Sequence, residues 1–141
     1  MTALFSALIL ILAPGARAHE HHEHSMEMAM PSPGEKSALE KQYPAIVTAF
    51  VQAEVKASGQ GFVLRDEKTG QNRILKLEKI HRDKIVMLQD DLAFACVDFR
   101  QIRGGADKLD LDFYVSRIKG GPWKVSRVLV HKVNGVALKR R

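Results

Sequence analysis

Leu109-Asp110-Leu111-Asp112-Phe113-Tyr114-Val115-Ser116 is the stretch on which the fold turns. Leu109, Leu111, Phe113 and Val115 alternate strictly with Asp110, Asp112, Tyr114 and Ser116. A period of two sends the two sets to opposite faces of an extended chain, so the segment reads as a strand with one face on a core and one polar face. Upstream, Arg103-Gly104-Gly105-Ala106-Asp107 reads as a turn, and before it residues 92–101 form the most apolar run of the domain, a second strand. Downstream, Gly120-Gly121-Pro122 turns the chain again. Trp123 and Val125 then share one face, while Val128 and Val130 continue in opposite phase. One extra residue near Ser126-Arg127, a β-bulge, reconciles the two phases.

The pattern extends backward with two changes. Residues 61–66 and 73–80 flank Glu67-Lys68-Thr69-Gly70-Gln71-Asn72, a hairpin loop, and residues 84–89 form a short strand closed by Asp90-Asp91. Before Gly61 the period shifts from two to 3.6. Leu39, Tyr43, Ile46, Val47, Phe50, Val51 and Val55 make one apolar stripe over residues 37–57, a helix stopped by Ser58-Gly59-Gln60-Gly61. Pro44 falls inside it, which places the strong part of the helix from there onward. One helix followed by short-looped strands predicts an α+β domain, with the N-terminal helix packed on a curled antiparallel sheet of five or six strands.

That element order resembles small exported bacterial domains of the cystatin-like and NTF2-like kind. The residues that carry the resemblance are the helix ending at Gly59, the Asp66-x-x-Thr69-Gly70 hairpin and the closing Trp123-Lys124-Val125 strand. It covers residues 37–134 and is topological, without a specific motif. It implies a scaffold that hosts binding modules and some enzymes, and fold alone assigns no activity.

The N-terminal part has a different character. Residues 1–18 read as a secretory signal peptide. The run from Ala3 to Ala13 is apolar except for Ser6, and Pro14-Gly15 and the small-x-small triplet Ala16-Arg17-Ala18 follow. It is shorter than the ~20 residues a membrane span needs, and it has no positive residue ahead of it. Export, to the periplasm or out of the cell, is the expected destination. Residues 19–36 then form a flexible His/Met-rich tail, punctuated at its end by Pro31-Ser32-Pro33-Gly34, and residues 37–141 form the single domain.

The tail carries the chemistry. His19, His21, His22 and His24 are four of the six histidines, and Met26, Met28 and Met30 are three of the five methionines. Imidazole suits copper, nickel and zinc, and thioether suits Cu(I) and the equally soft Ag(I). Cleavage after Ala18 leaves His19-Glu20-His21 as a terminus. A free amine, two backbone amides and the third-position imidazole then offer four nitrogens in a plane, the arrangement Cu(II) and Ni(II) prefer. The expected cofactor is copper, with nickel, silver and zinc as alternatives. A polar tail of chance composition is the plainer reading, since a His-rich tract is a compositional signal.

Elsewhere the candidates are weaker. The lone Cys96 has no intramolecular disulfide partner, and its apolar surroundings predict burial as a small hydrophobe, with metal ligation or redox chemistry as the alternatives. Asp110 and Asp112 share a strand face and Asp98 is placed to lie across from them. The set reads as a solvated face or as partners for Lys and Arg, or as ligands for a hard cation. His81 and His131 fall at strand ends and read as structural or exposed. No phosphate loop, nucleophile elbow or zinc-protease motif occurs, so the sequence predicts no enzyme. The net charge of +6 understates the domain, which closes on Lys139-Arg140-Arg141, because the tail carries Glu20, Glu23 and Glu27 and no Lys or Arg. In an exported chain such a balance points to an acidic protein or an anionic membrane surface and away from nucleic acid. The expected function is therefore exported transition-metal capture by the tail. The alternative is a cell-envelope ligand- or protein-binding module on which the tail is incidental.

Overall fold

A computed structural model describes residues 32–67 and 69–139. The signal peptide and the tail ligands His19, His21, His22, His24, Met26, Met28 and Met30 lie outside the described residues.

The helix, α1, runs Pro33–Ser58. Ser32 caps it, accepting from the Glu35 N–H, and Pro33 takes the first turn, where a missing N–H costs nothing. The Pro-Gly pair expected to separate tail from domain thus opens the helix instead. Pro44 does not break it. Leu39 and Tyr43 before the proline and Val47 and Val51 after it are all buried on one face, and their packing holds the helix across the missing hydrogen bond. Gly59 ends it in the left-handed conformation with φ 72°, its N–H bonded to the Val55 carbonyl.

Seven strands follow: β1 (Phe62–Arg65), β2 (Asn72–Ile80), β3 (Val86–Gln89), β4 (Leu92–Arg103), β5 (Lys108–Ser116), β6 (Lys124–Val133) and β7 (Val136–Ala137). They pair in the order β1-β2-β4-β5-β6-β7, all antiparallel, and β3 joins β4 beyond the end of β2. A short 3-10 turn, Arg82–Lys84, carries the chain from β2 to β3. The α+β architecture, one helix on a curled antiparallel sheet, is the one the sequence predicts. The two-residue strand β7 has too little sequence to carry a period.

The inward face is apolar throughout. Ala93, Ala95, Val97 and Phe99 of β4 and Leu109, Leu111, Phe113 and Val115 of β5 are almost fully enclosed against α1. Phe50, Phe62, Phe99 and Phe113 pack ring on ring, with centroid separations from 5.1 to 6.3 Å. Tyr43 fixes the register between helix and sheet. Its hydroxyl accepts from the Ala95 N–H at 3.1 Å and donates to the Phe113 carbonyl at 2.7 Å, so a buried polar atom is satisfied at the midpoint of the β4–β5 pair.

Five register shifts interrupt the pairing among the described strands, and three of them bear on the outer face and the closing strand. Leu111 pairs with Val130 but Asp110 with Lys132, leaving His131 as the extra residue. Val115 pairs with Val125 but Tyr114 with Arg127, leaving Ser126 as the extra one, the bulge that the phase change predicts. Glu78 is extra between Leu77 and Lys79 against β4. Bulges increase twist and curl a sheet, and they also re-aim individual side chains.

Candidate metal centre on the outer sheet face

Alternation that buries the odd residues of β4 and β5 turns the even ones outward, away from α1. Antiparallel register then sets Cys96 opposite Asp112 and Asp98 opposite Asp110. The expectation that Cys96 is buried as a core hydrophobe is therefore corrected. Its neighbours Ala95 and Val97 enter the core, and Cys96 is half-buried on the other face among acids.

Two histidines reach this face from the flanking strands. His131 is the bulged residue of β6, and its Nδ1 lies 3.3 Å from Asp112 Oδ1 and 3.9 Å from Cys96 Sγ. His81 sits where β2 ends, its backbone N–H bonded to the Cys96 carbonyl and its Nε2 2.9 Å from Asp98 Oδ2. The donor atoms of Cys96, Asp112 and His131 all lie within 4.8 Å of one another, and so do those of Cys96, Asp98 and Asp110. Asp112 is 2% exposed, the one buried charged residue among the described residues. Phe94 and Tyr114, stacked at 4.9 Å, are paired across β4 and β5 one step further along the same face.

The electrostatics of the site are those of a cation seat. Burial first, then Asp112, Asp110 and Asp98, raise the Cys96 thiol against the opposing Lys132, and together they bring it to about 11. A nucleophilic cysteine needs the reverse, a positive surrounding that lowers its thiol into the neutral range. The face is thus unsuited to thiolate catalysis by itself and suited to an ion that supplies the missing positive charge.

The sequence places Asp98, Asp110 and Asp112 together correctly, because alternation and hairpin pairing are legible. It does not bring His81 or His131 to them. The signal for His131 is a phase slip within β6 that alternation alone does not locate to one residue. No protein-family model matches the chain, and neither the curated proteins nor the solved structures yield a match.

Proposed function

We propose that this is an exported transition-metal-binding protein that captures copper, or silver or nickel, with its N-terminal His/Met segment. The observation that carries the reading is the adjacency of His19, His21, His22 and His24 to Met26, Met28 and Met30, which sets imidazole and thioether donors side by side within twelve residues. The folded domain adds a third donor type on its outer sheet face, the thiol of Cys96 beside the Asp112 and His131 donors. The domain serves as a carrier with its own core. Its basic surface docks it on an acidic envelope protein or an anionic membrane. The helix-then-meander order supports a cystatin-like or NTF2-like scaffold. Among the described residues, no helix is long and apolar enough to cross a membrane.

The test is copper titration of the exported chain against the same chain lacking residues 19–30. The reading expects tight Cu(II) and Cu(I) binding in the first and its loss in the second. Equal copper affinity in both chains overturns it.

A further inference from the structure

We propose that Cys96, Asp112 and His131 form a fixed zinc-type site on the outer sheet face, holding one borderline divalent cation through Cys96 Sγ, an Asp112 carboxylate oxygen and His131 Nδ1, with a fourth position open. This site is separate from the tail and does not depend on the tail reading.

Geometry is the first argument. With metal–ligand lengths of about 2.3 Å to sulfur and about 2.1 Å to nitrogen and oxygen, tetrahedral angles put sulfur and nitrogen about 3.6 Å apart and nitrogen and oxygen about 3.4 Å apart. The structure has Cys96 Sγ and His131 Nδ1 at 3.9 Å and His131 Nδ1 and Asp112 Oδ1 at 3.3 Å. These two edges close with shifts of a few tenths of an ångström, and the third, from Cys96 Sγ to the Asp112 carboxylate, lies within 4.8 Å and closes by side-chain rotation.

The frame is the second argument. All three ligands stand on strands. Tyr43 locks Ala95 and Phe113 from the inner face, and these are the residues next to Cys96 and Asp112 on their strands. The β6 bulge aims His131 inward along the outer face. A site on rigid elements with an anchored backbone loses little freedom when the ion arrives.

Charge and softness select the metal. One thiolate and one carboxylate neutralise a divalent ion, and the neutral imidazole completes the set. The thiol proton leaves to solvent on binding and no electron moves, so no co-reactant is needed. A mixed sulfur, nitrogen and oxygen set suits Zn(II) and its spectroscopic stand-in Co(II). Magnesium and calcium reject the sulfur, and Cu(I) and Ag(I) gain little from the carboxylate. Three protein ligands with an open fourth position are the pattern of zinc sites that take up water or an exchangeable ligand. Asp98, held by His81, and Asp110 stand beside the site and deepen its negative field without being ligands.

Because Cys96 is the single cysteine of the chain, any thiolate-to-cobalt charge-transfer band reports this site and nothing in the tail. The experiment titrates Co(II) into the reduced, copper-free full chain and follows the near-ultraviolet thiolate band and the visible bands of tetrahedral cobalt. The proposal expects both to saturate at one equivalent and to be bleached by Zn(II). It expects their loss in Cys96→Ser, and at least a tenfold weaker cobalt affinity in His131→Ala and in Asp112→Asn, with Asp98→Asn and Asp110→Asn close to the unmodified chain. Far-ultraviolet circular dichroism of each variant shows that it is folded, and the conservative Asp112→Asn serves where a larger change unfolds the domain. Absence of a thiolate band in the folded, reduced chain overturns the site. So does a band that survives His131→Ala and Asp112→Asn but is lost in Asp98→Asn and Asp110→Asn, which moves the ion to the other acidic set. The tail reading survives either result, since its copper affinity is read separately.

Discussion

Two side chains on opposite faces of the β4–β5 pair, Cys96 and Tyr43, carry most of what this domain adds to a plain sheet. The Cys96 thiol holds its proton up to about 11, first through burial and then through Asp112, Asp110 and Asp98. Since the thiolate is the reactive form, and its greater basicity returns only about half of the loss, alkylation of the metal-free protein by iodoacetamide near neutral pH should run about tenfold slower than that of an unhindered cysteine. A time course read by intact mass checks this, and a rate equal to that of free cysteine contradicts the acidic surroundings. On the inner face, burial raises Tyr43 well above the usual tyrosine range, so its hydroxyl stays protonated and can donate to Phe113. Tyr43→Phe leaves the Ala95 N–H and the Phe113 carbonyl without that partner and should cost about 1–3 kcal/mol in urea unfolding, with little change in shape. It should also loosen the strand segment that holds Cys96 and Asp112. Neither role is legible in the sequence. Tyr43 reads there as one more member of an apolar stripe, and Cys96 as one more apolar residue of its run, because a single position does not reveal which face it takes until its neighbours are buried.

Elements tell the opposite story, since their existence follows from period and their irregularities follow from packing. The helix, the hairpins and the strict alternation of β5 are legible from spacing alone. So is the Ser126 bulge, because Trp123 and Val125 are out of phase with Val128 and Val130. The helix start at Pro33 and its passage through Pro44 are not legible, because buried Leu39 and Tyr43 decide them from across the core. The junction from α1 to β1 depends on Gly61, whose φ of 147° favours glycine. A Cβ there meets Ile74 Cγ2 at 2.8 Å and the Leu75 carbonyl oxygen at 3.2 Å. Gly61→Ala should therefore destabilise the domain by about 1–3 kcal/mol through strain and clash together, read as a lower urea midpoint at unchanged slope. At the far end of the sheet, Arg73 of β2 binds both Asp66 and Asp107, tying the first hairpin to the turn before β5. Hydrogen bonds from Arg73 and then Asn134 hold the Asp107 carboxyl below its usual range. A carboxyl lowered in the folded state stabilises above its ordinary value, and the contribution fades as pH falls through the folded one. Asp107→Asn should thus flatten the acid limb of a melting-temperature profile while leaving its alkaline limb alone.

At the scale of the whole molecule the two metal readings separate cleanly, because one rests on composition and the other on register. The core of α1 and the sheet is continuous and apolar, so chelator-treated protein should melt as one cooperative unit. Zinc at a hundredfold excess over its dissociation constant should then add about 2.7 kcal/mol, a rise of several degrees, and Cys96→Ser should abolish that rise. Copper bound by the tail should leave the melting temperature unchanged, since residues 19–30 precede the first residue of the core. The tail itself has a sharper test. If cleavage frees the His19 amine, Cu(II) should bind there through the amine, two backbone amides and the His21 imidazole, with the visible absorption of a square-planar nitrogen set. Cu(I) should prefer Met26, Met28 and Met30, which need only reach and no fixed geometry. Cu(II) binding should weaken as pH falls through about 6.5, where imidazole takes a proton and ceases to ligate, while the thioether set, which does not titrate, keeps its Cu(I). Acetylating the terminal amine of a peptide spanning residues 19–30 should then lower Cu(II) affinity by orders of magnitude while changing Cu(I) affinity little, because only Cu(II) uses the amine. Equal Cu(II) affinity in the free and acetylated peptides removes the terminal site, and with it the reason for placing cleavage after Ala18 in the metal chemistry.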